Sequence, residues 1–191
     1  MRTDLFKEFS SNVNNGKLHL FSIYTDFGAY RHIKCTVGAI AKLAGQRRQC
    51  SSETWKLDSL TVSEPMGKML ANDAANVDAL IVVVNPQERC KPELIQWLDS
   101  LEPLNPHRPG LLIGLLGDEE DKSEELDWTA RELIRCAQKT NRKFIWHWME
   151  HHSVDSAGWL AEGVEMLLTQ KRAAYNGLNG IAAQEAVLAF R

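Results

Sequence analysis

The sequence predicts an α/β protein built on one five-stranded, doubly wound parallel sheet with helices on both faces. Two observations carry that expectation. The run Ala79-Leu80-Ile81-Val82-Val83-Val84 is short, unbroken and rich in β-branched residues, and Asn85-Pro86 stops it at once. It is too brief for a helix and apolar at every position, which suits a strand covered above and below at the centre of a parallel sheet. A strand pattern followed by a helical pattern also recurs five times along the 191 residues. Parallel neighbours need crossover helices, and these are nearly always right-handed. A barrel of such units would want eight.

The elements follow in order. Residues 1–16 form a polar leader with a short helical stretch, Asp4 to Phe9, expected to pack on the domain or fray. Leu18 to Tyr24 is the first strand, and Thr25-Asp26-Phe27-Gly28 is the turn into a helix from about Ala29 to Ala44. Ile33, Val37, Ile40, Ala41 and Ala44 fall on one stripe of that helix. Gly45 ends it, and Arg47-Arg48 suit the negative end of its dipole. Gln49 to Leu57 is a strand of mixed polarity, which fits a sheet edge. Ser63-Glu64-Pro65 is a helix entry, with Ser as N-cap and Pro in the first turn, and that helix runs to about Asn76. After the central strand, Lys91-Pro92-Glu93 opens a helix to about Leu101, and the Pro-rich stretch from Pro103 to Pro109 feeds the fourth strand, Gly110 to Leu116.

From Glu119 to Asp127 the chain holds six acids against one lysine, a solvated helix entry rather than a metal cage. That helix continues to Thr140. Lys143 to Met149 is the fifth strand and Ser156 to Lys171 the fifth helix. Two glycines and two asparagines from Asn176 to Gly180 end it, after which Ala183, Ala186, Val187 and Phe190 form one apolar stripe at helical spacing. A helix that short is unstable alone in water, so the stripe should dock, on its own domain or on a second copy or another protein. The expected organisation is a leader (1–16), an α/β domain (17–178) and a C-terminal amphipathic helix (179–191).

Composition narrows the function classes. With 44% hydrophobic and 25% charged residues the chain has an ordinary globular make-up, and a net charge of -3 argues against nucleic acid as a partner. No run approaches the length of a membrane span, so a soluble, cytoplasmic protein with no membrane partner is expected. Cys35, Cys50, Cys90 and Cys136 lie far apart with no C-x-x-C pair, which suits free thiols.

Five βα units with Asp26 after the first strand resemble the flavodoxin-like architecture, strand order 2-1-3-4-5, and above all the receiver domain of bacterial response regulators, over about Lys17 to Leu168. The stretches Tyr-Thr-Asp-Phe-Gly from Tyr24 and Thr-Trp-Lys-Leu-Asp from Thr54 also resemble a group of uncharacterised bacterial receiver-like proteins. In a receiver the resemblance implies an acidic pair after the first strand, a phosphate-accepting Asp after the third, a hydroxyl after the fourth and Lys-Pro after the fifth. Only Asp26 matches: Thr25, Asn85 and Gly117 stand at the other places, and the fifth strand runs into Met149-Glu150-His151. An amide at Asn85 cannot be the carboxylate nucleophile of phosphotransfer. The expectation is therefore a non-catalytic, receiver-like signalling or protein-interaction module. The alternative is a small-ligand-binding or enzymatic protein that uses the crevice at the ends of strands 1 and 3.

In an open α/β sheet ligands bind beyond the carboxyl ends of the strands where the strand order reverses, which places Asp26, Phe27, Asn85, Gln87, Gly117 and Asp118 around that crevice. Asp26, as a carboxylate left from a metal site, is expected to be dispensable, so that Asp26→Ala changes stability little or raises it. No glycine-rich phosphate loop is present and Thr25 alone makes a thin flavin-phosphate loop, so no cofactor is expected. His147, His151 and His152 are weak metal candidates, read as a surface cluster. Trp55, Trp146, Trp148 and Trp159 are expected to pack helices on the sheet, with an edge tryptophan available to anchor a partner.

Overall fold

The computed structural model describes residues 17–45, 50–60, 62–84, 91–104, 110–117, 124–149, 158–171 and 173. Both the leader and the C-terminal stripe of Ala183, Ala186, Val187 and Phe190 lie outside them.

The strands are β1 (Leu18–Tyr24), β2 (Cys50–Lys56), β3 (Ala79–Val84), β4 (Gly110–Leu116) and β5 (Arg142–Trp148). They form one sheet in the order β2-β1-β3-β4-β5, parallel throughout. The helices are α1 (Phe27–Ala44), α2 (Glu64–Ala75), α3 (Pro92–Ser100), α4 (Glu124–Lys139) and α5 (158–171). This is the expected flavodoxin-like architecture. After β2 the chain closes into a 3-10 turn at Leu57–Leu60, with Leu57, expected as the last residue of the strand, and Leu60 both buried against the core.

Strand alternation decides which helix covers which face. Phe21, Ile23, Leu80, Val82, Leu112 and Leu116 point to the side packed by α2, α3 and α4. Leu18, Leu20, Ile81, Val83, Ile113 and Leu115 point to the side packed by α1 and α5. β3 and β4 are buried at every position, whereas β2 at one edge is half-exposed along its length. At the other edge Trp146 is 45% exposed and meets Trp148 edge-on, with ring centroids 4.8 Å apart.

Helix ends obey their local sequence. The Ser63 side chain accepts from the Met66 N–H with Pro in the first turn, as the Ser-Glu-Pro triplet predicts. Gly45 closes α1 at φ 81°, a left-handed conformation that strains other residues, and its N–H donates to the Lys42 carbonyl.

The amino ends of the strands are joined through one buried carboxylate. Asp78 is 4% exposed. Its Oδ2 accepts from the His19 N–H at 2.8 Å and pairs with Lys171 Nζ of α5 at 2.8 Å. Its N–H donates to the His19 carbonyl, and its carbonyl accepts from the Leu111 N–H. Lys171 also donates to the Lys17 carbonyl. One side chain thus ties β1, β3 and α5 at the end of the sheet opposite the crevice, and its backbone adds β4.

Candidate functional site

The chain leaves β1 toward β2 on one side and β3 toward β4 on the other, so the two strands part at their carboxyl ends. The register pairs Tyr24 with Val83 there, which brings the ends of β1 and β3 level. In an open sheet of this strand order, ligands bind beyond those two carboxyl ends.

On the β1 side, Asp26 is extended (φ -141°, ψ 177°) and its Oδ1 accepts from the Ala29 N–H at 2.9 Å. Its carbonyl accepts from the Tyr30 N–H, which begins the helical ladder. Asp26 is the N-cap of α1. The expectation that it is a dispensable leftover is therefore corrected: its carboxylate satisfies an N–H that the helix start otherwise leaves open, and its charge suits the positive end of the dipole. Asp26→Ala is expected to lower unfolding free energy by about 1 kcal/mol, and Asp26→Asn by much less, since Asn caps about as well. Urea titration of the two variants checks this; equal stability of Asp26→Ala and the unsubstituted protein would refute the cap.

Phe27 is the first residue of α1 and lies 78% exposed. Its ring sits 6.1 Å from that of Tyr30, which in turn lies 5.3 Å from Tyr24, while Lys34 Nζ sits 4.9 Å over the Tyr30 ring. These three rings, with Lys34 over one of them, make an aromatic wall at the carboxyl end of β1. Tyr24, Tyr30 and Lys34 were not foreseen as site residues, although Phe27, Tyr30 and Lys34 stand at i, i+3 and i+7, one helical face.

Beside the wall, after β2, Asp58 takes Lys56 Nζ at 2.5 Å and Lys91 Nζ, just before α3, at 3.7 Å. The hydrogen bond from Lys56 holds the Asp58 carboxyl below its ordinary range. Gly117 is buried and stitches strand ends together, donating to the Val84 carbonyl and accepting from the Met149 N–H. Asn85, Gln87 and Asp118 lie outside the described residues.

His147 packs edge-on against Trp159, centroids 4.8 Å apart, while His151 and His152 lie outside the described residues. Among the described residues no group of three or more His, Cys, Asp or Glu could hold a metal ion. Cys35, Cys50 and Cys136 are free thiols. Burial pushes the Cys136 thiol up, and burial followed by the Asp78 charge does the same for Cys50, so neither is poised as a thiolate nucleophile. Among the described residues no helix is long and apolar enough to cross a membrane.

No family model and no curated protein matches the chain. Solved structures do. An oxidoreductase from Corynebacterium diphtheriae superposes with a TM-score of 0.56 at 13% identity, over 83% of this chain and 98% of that one. A flavodoxin variant from Pseudomonas aeruginosa matches with a TM-score of 0.46 at 15% identity over 78% of this chain and 99% of that one. An apo NADH:FMN oxidoreductase matches with a TM-score of 0.47 at 14% identity over 82% and 89% respectively. The likeness to the Corynebacterium protein shows the fold alone: flavodoxin-like α/β. The expectation of a non-catalytic, receiver-like signalling module is corrected here. The fold is shared with an oxidoreductase, and Asp26, which carried the receiver match, is engaged as a helix cap.

Proposed function

We propose that the chain is a small-ligand-binding, enzymatic protein of flavodoxin-like fold, with a planar aromatic ligand held in the crevice at the ends of β1 and β3 against Phe27, Tyr30 and Tyr24. The observation that carries this reading is Phe27, a phenyl ring 78% exposed at the strand switch point. Burying such a side chain stabilises by about 1.5–3 kcal/mol, so a ring left in water where this topology takes its ligands has a use there. Stacking on Phe27 and Tyr30 gives affinity for a π-system, and Lys34 over the Tyr30 ring holds that ring in place. The Corynebacterium protein of the same fold is an oxidoreductase, which favours redox chemistry on such a ring.

Native mass spectrometry of freshly purified protein, followed by fluorescence titration with riboflavin as a soluble planar probe, tests the reading. Saturable quenching is expected, with Phe27→Ala weakening it about tenfold, or ~1.4 kcal/mol, at an unchanged melting temperature. Equal affinity in Phe27→Ala and the unsubstituted protein, or no saturation in either, removes the reading.

A further inference from the structure

A flavin mononucleotide is the group this fold implies for the crevice, and its phosphate is the part that the β1–α1 turn would have to hold. Helix N-termini hold phosphates through open N–H groups and the positive end of the dipole. At α1 the positive end of the dipole and one of these N–H groups, that of Ala29, are already engaged by a side chain of the chain itself. The Asp26 carboxylate lies on the Ala29 N–H at 2.9 Å and places a negative charge where an anion would sit. Gly28 makes this possible, because a Cβ at that position would come within 3.0 Å of Asp26 Oδ1. Lys56 and Lys91 are paired with Asp58, and Lys34 lies over the Tyr30 ring. The described residues of this turn therefore do not fit a phosphate.

From this mismatch, and resting on the ligand reading above, we infer that the crevice selects a planar ring bearing no anionic group at the β1–α1 turn, a neutral or cationic aromatic molecule, and that Asp26 is the residue that sets this preference. The aromatic wall supplies stacking without regard to charge, whereas the carboxylate beside it repels an anion and favours a ring that is uncharged or positive there.

Riboflavin and flavin mononucleotide share one ring and differ only in the phosphate, so they separate the two contributions. The full chain and Asp26→Asn, which keeps the cap and removes the charge, are titrated with each at low ionic strength and again at 0.15 M salt, where the Debye length is about 8 Å. The expected result is riboflavin bound at least about tenfold more tightly than the mononucleotide by the unsubstituted protein, a gap of ~1.4 kcal/mol. That gap should shrink with added salt and narrow to about threefold or less in Asp26→Asn, whose melt confirms that α1 is still capped. Equal or tighter binding of the mononucleotide by the unsubstituted protein overturns the selectivity while leaving the ligand reading in place. A gap that Asp26→Asn leaves unchanged overturns the role of Asp26. Failure of both flavins to bind removes the ligand reading itself, and the inference with it.

Discussion

Asp78→Ala is expected to lower the unfolding free energy by about 3–5 kcal/mol, because removing one partner of a buried ion pair leaves the other charge uncompensated. Asp78 is 4% exposed, and the Lys171 side chain that pairs with it is 19% exposed, which puts the effect toward the lower end of that range. The carboxylate also accepts the His19 N–H, so the alanine variant opens a backbone donor at the start of β1 as well as a lysine on α5. Asp78→Asn keeps an acceptor for His19 and loses only the charge, and should fall between the two. The pairing is separated from simple packing by a double-mutant cycle. Lys171→Met combined with Asp78→Ala should be less destabilised than the sum of the single changes by about 1 kcal/mol or more, since neighbours in one network do not add. Urea titrations at neutral pH give all four values. An Asp78→Ala loss under about 1 kcal/mol, within the range of an ordinary surface change, would show that α5 is not latched through this carboxylate.

The latch was not legible in the sequence, and the reason is physical. Lys171 and Lys17, joined through a carbonyl, are 154 positions apart, and no local pattern marks Asp78 as anything but a polar residue preceding a strand. The sheet was legible almost residue by residue, because period-two and period-3.6 patterns are local: Leu18 to Tyr24 and Gly110 to Leu116 were placed with the bounds the structure shows. Asp26 stands between these cases. Its position at the end of the first strand was foreseen, but the receiver likeness drew attention to its charge as a lost metal ligand. An Asp immediately before a helix is itself a start signal, and weighing it so would have given the cap. Phe27 was placed in the crevice, yet its partners were not, because the ring of Tyr24 reaches Tyr30 only once β1 and α1 have folded back on each other. The 3-10 turn at Leu57–Leu60 escaped because its two leucines are buried by tertiary packing rather than by a repeat.

Leu80→Ala should cost about 3–4 kcal/mol, within the range measured for buried leucines that leave a cavity behind. Leu80 is fully buried in β3 and belongs to a row that runs across the sheet: Phe21 on β1, Leu80 on β3, Leu112 on β4 and Phe144 on β5. Large side chains fill that row on the side covered by α2, α3 and α4, and Phe21 stacks there with Trp97 at 6.0 Å between centroids. Trp97 is fixed in turn by its indole N–H on the Gly67 carbonyl, 3.3 Å away, and a Cβ at Gly67 would come within 2.9 Å of the Leu60 carbonyl. The helices on this face are therefore held at short range and can collapse little into a hole, which keeps the cavity contribution large rather than letting it relax. Leu80→Met, which conserves volume, should lose less than about 1.5 kcal/mol. Chemical denaturation of both variants tests the argument. Near-equal losses for alanine and methionine would mean that the row repacks freely and that the sheet, not the rigid placement of α2 and α3 against it, sets the stability of this face.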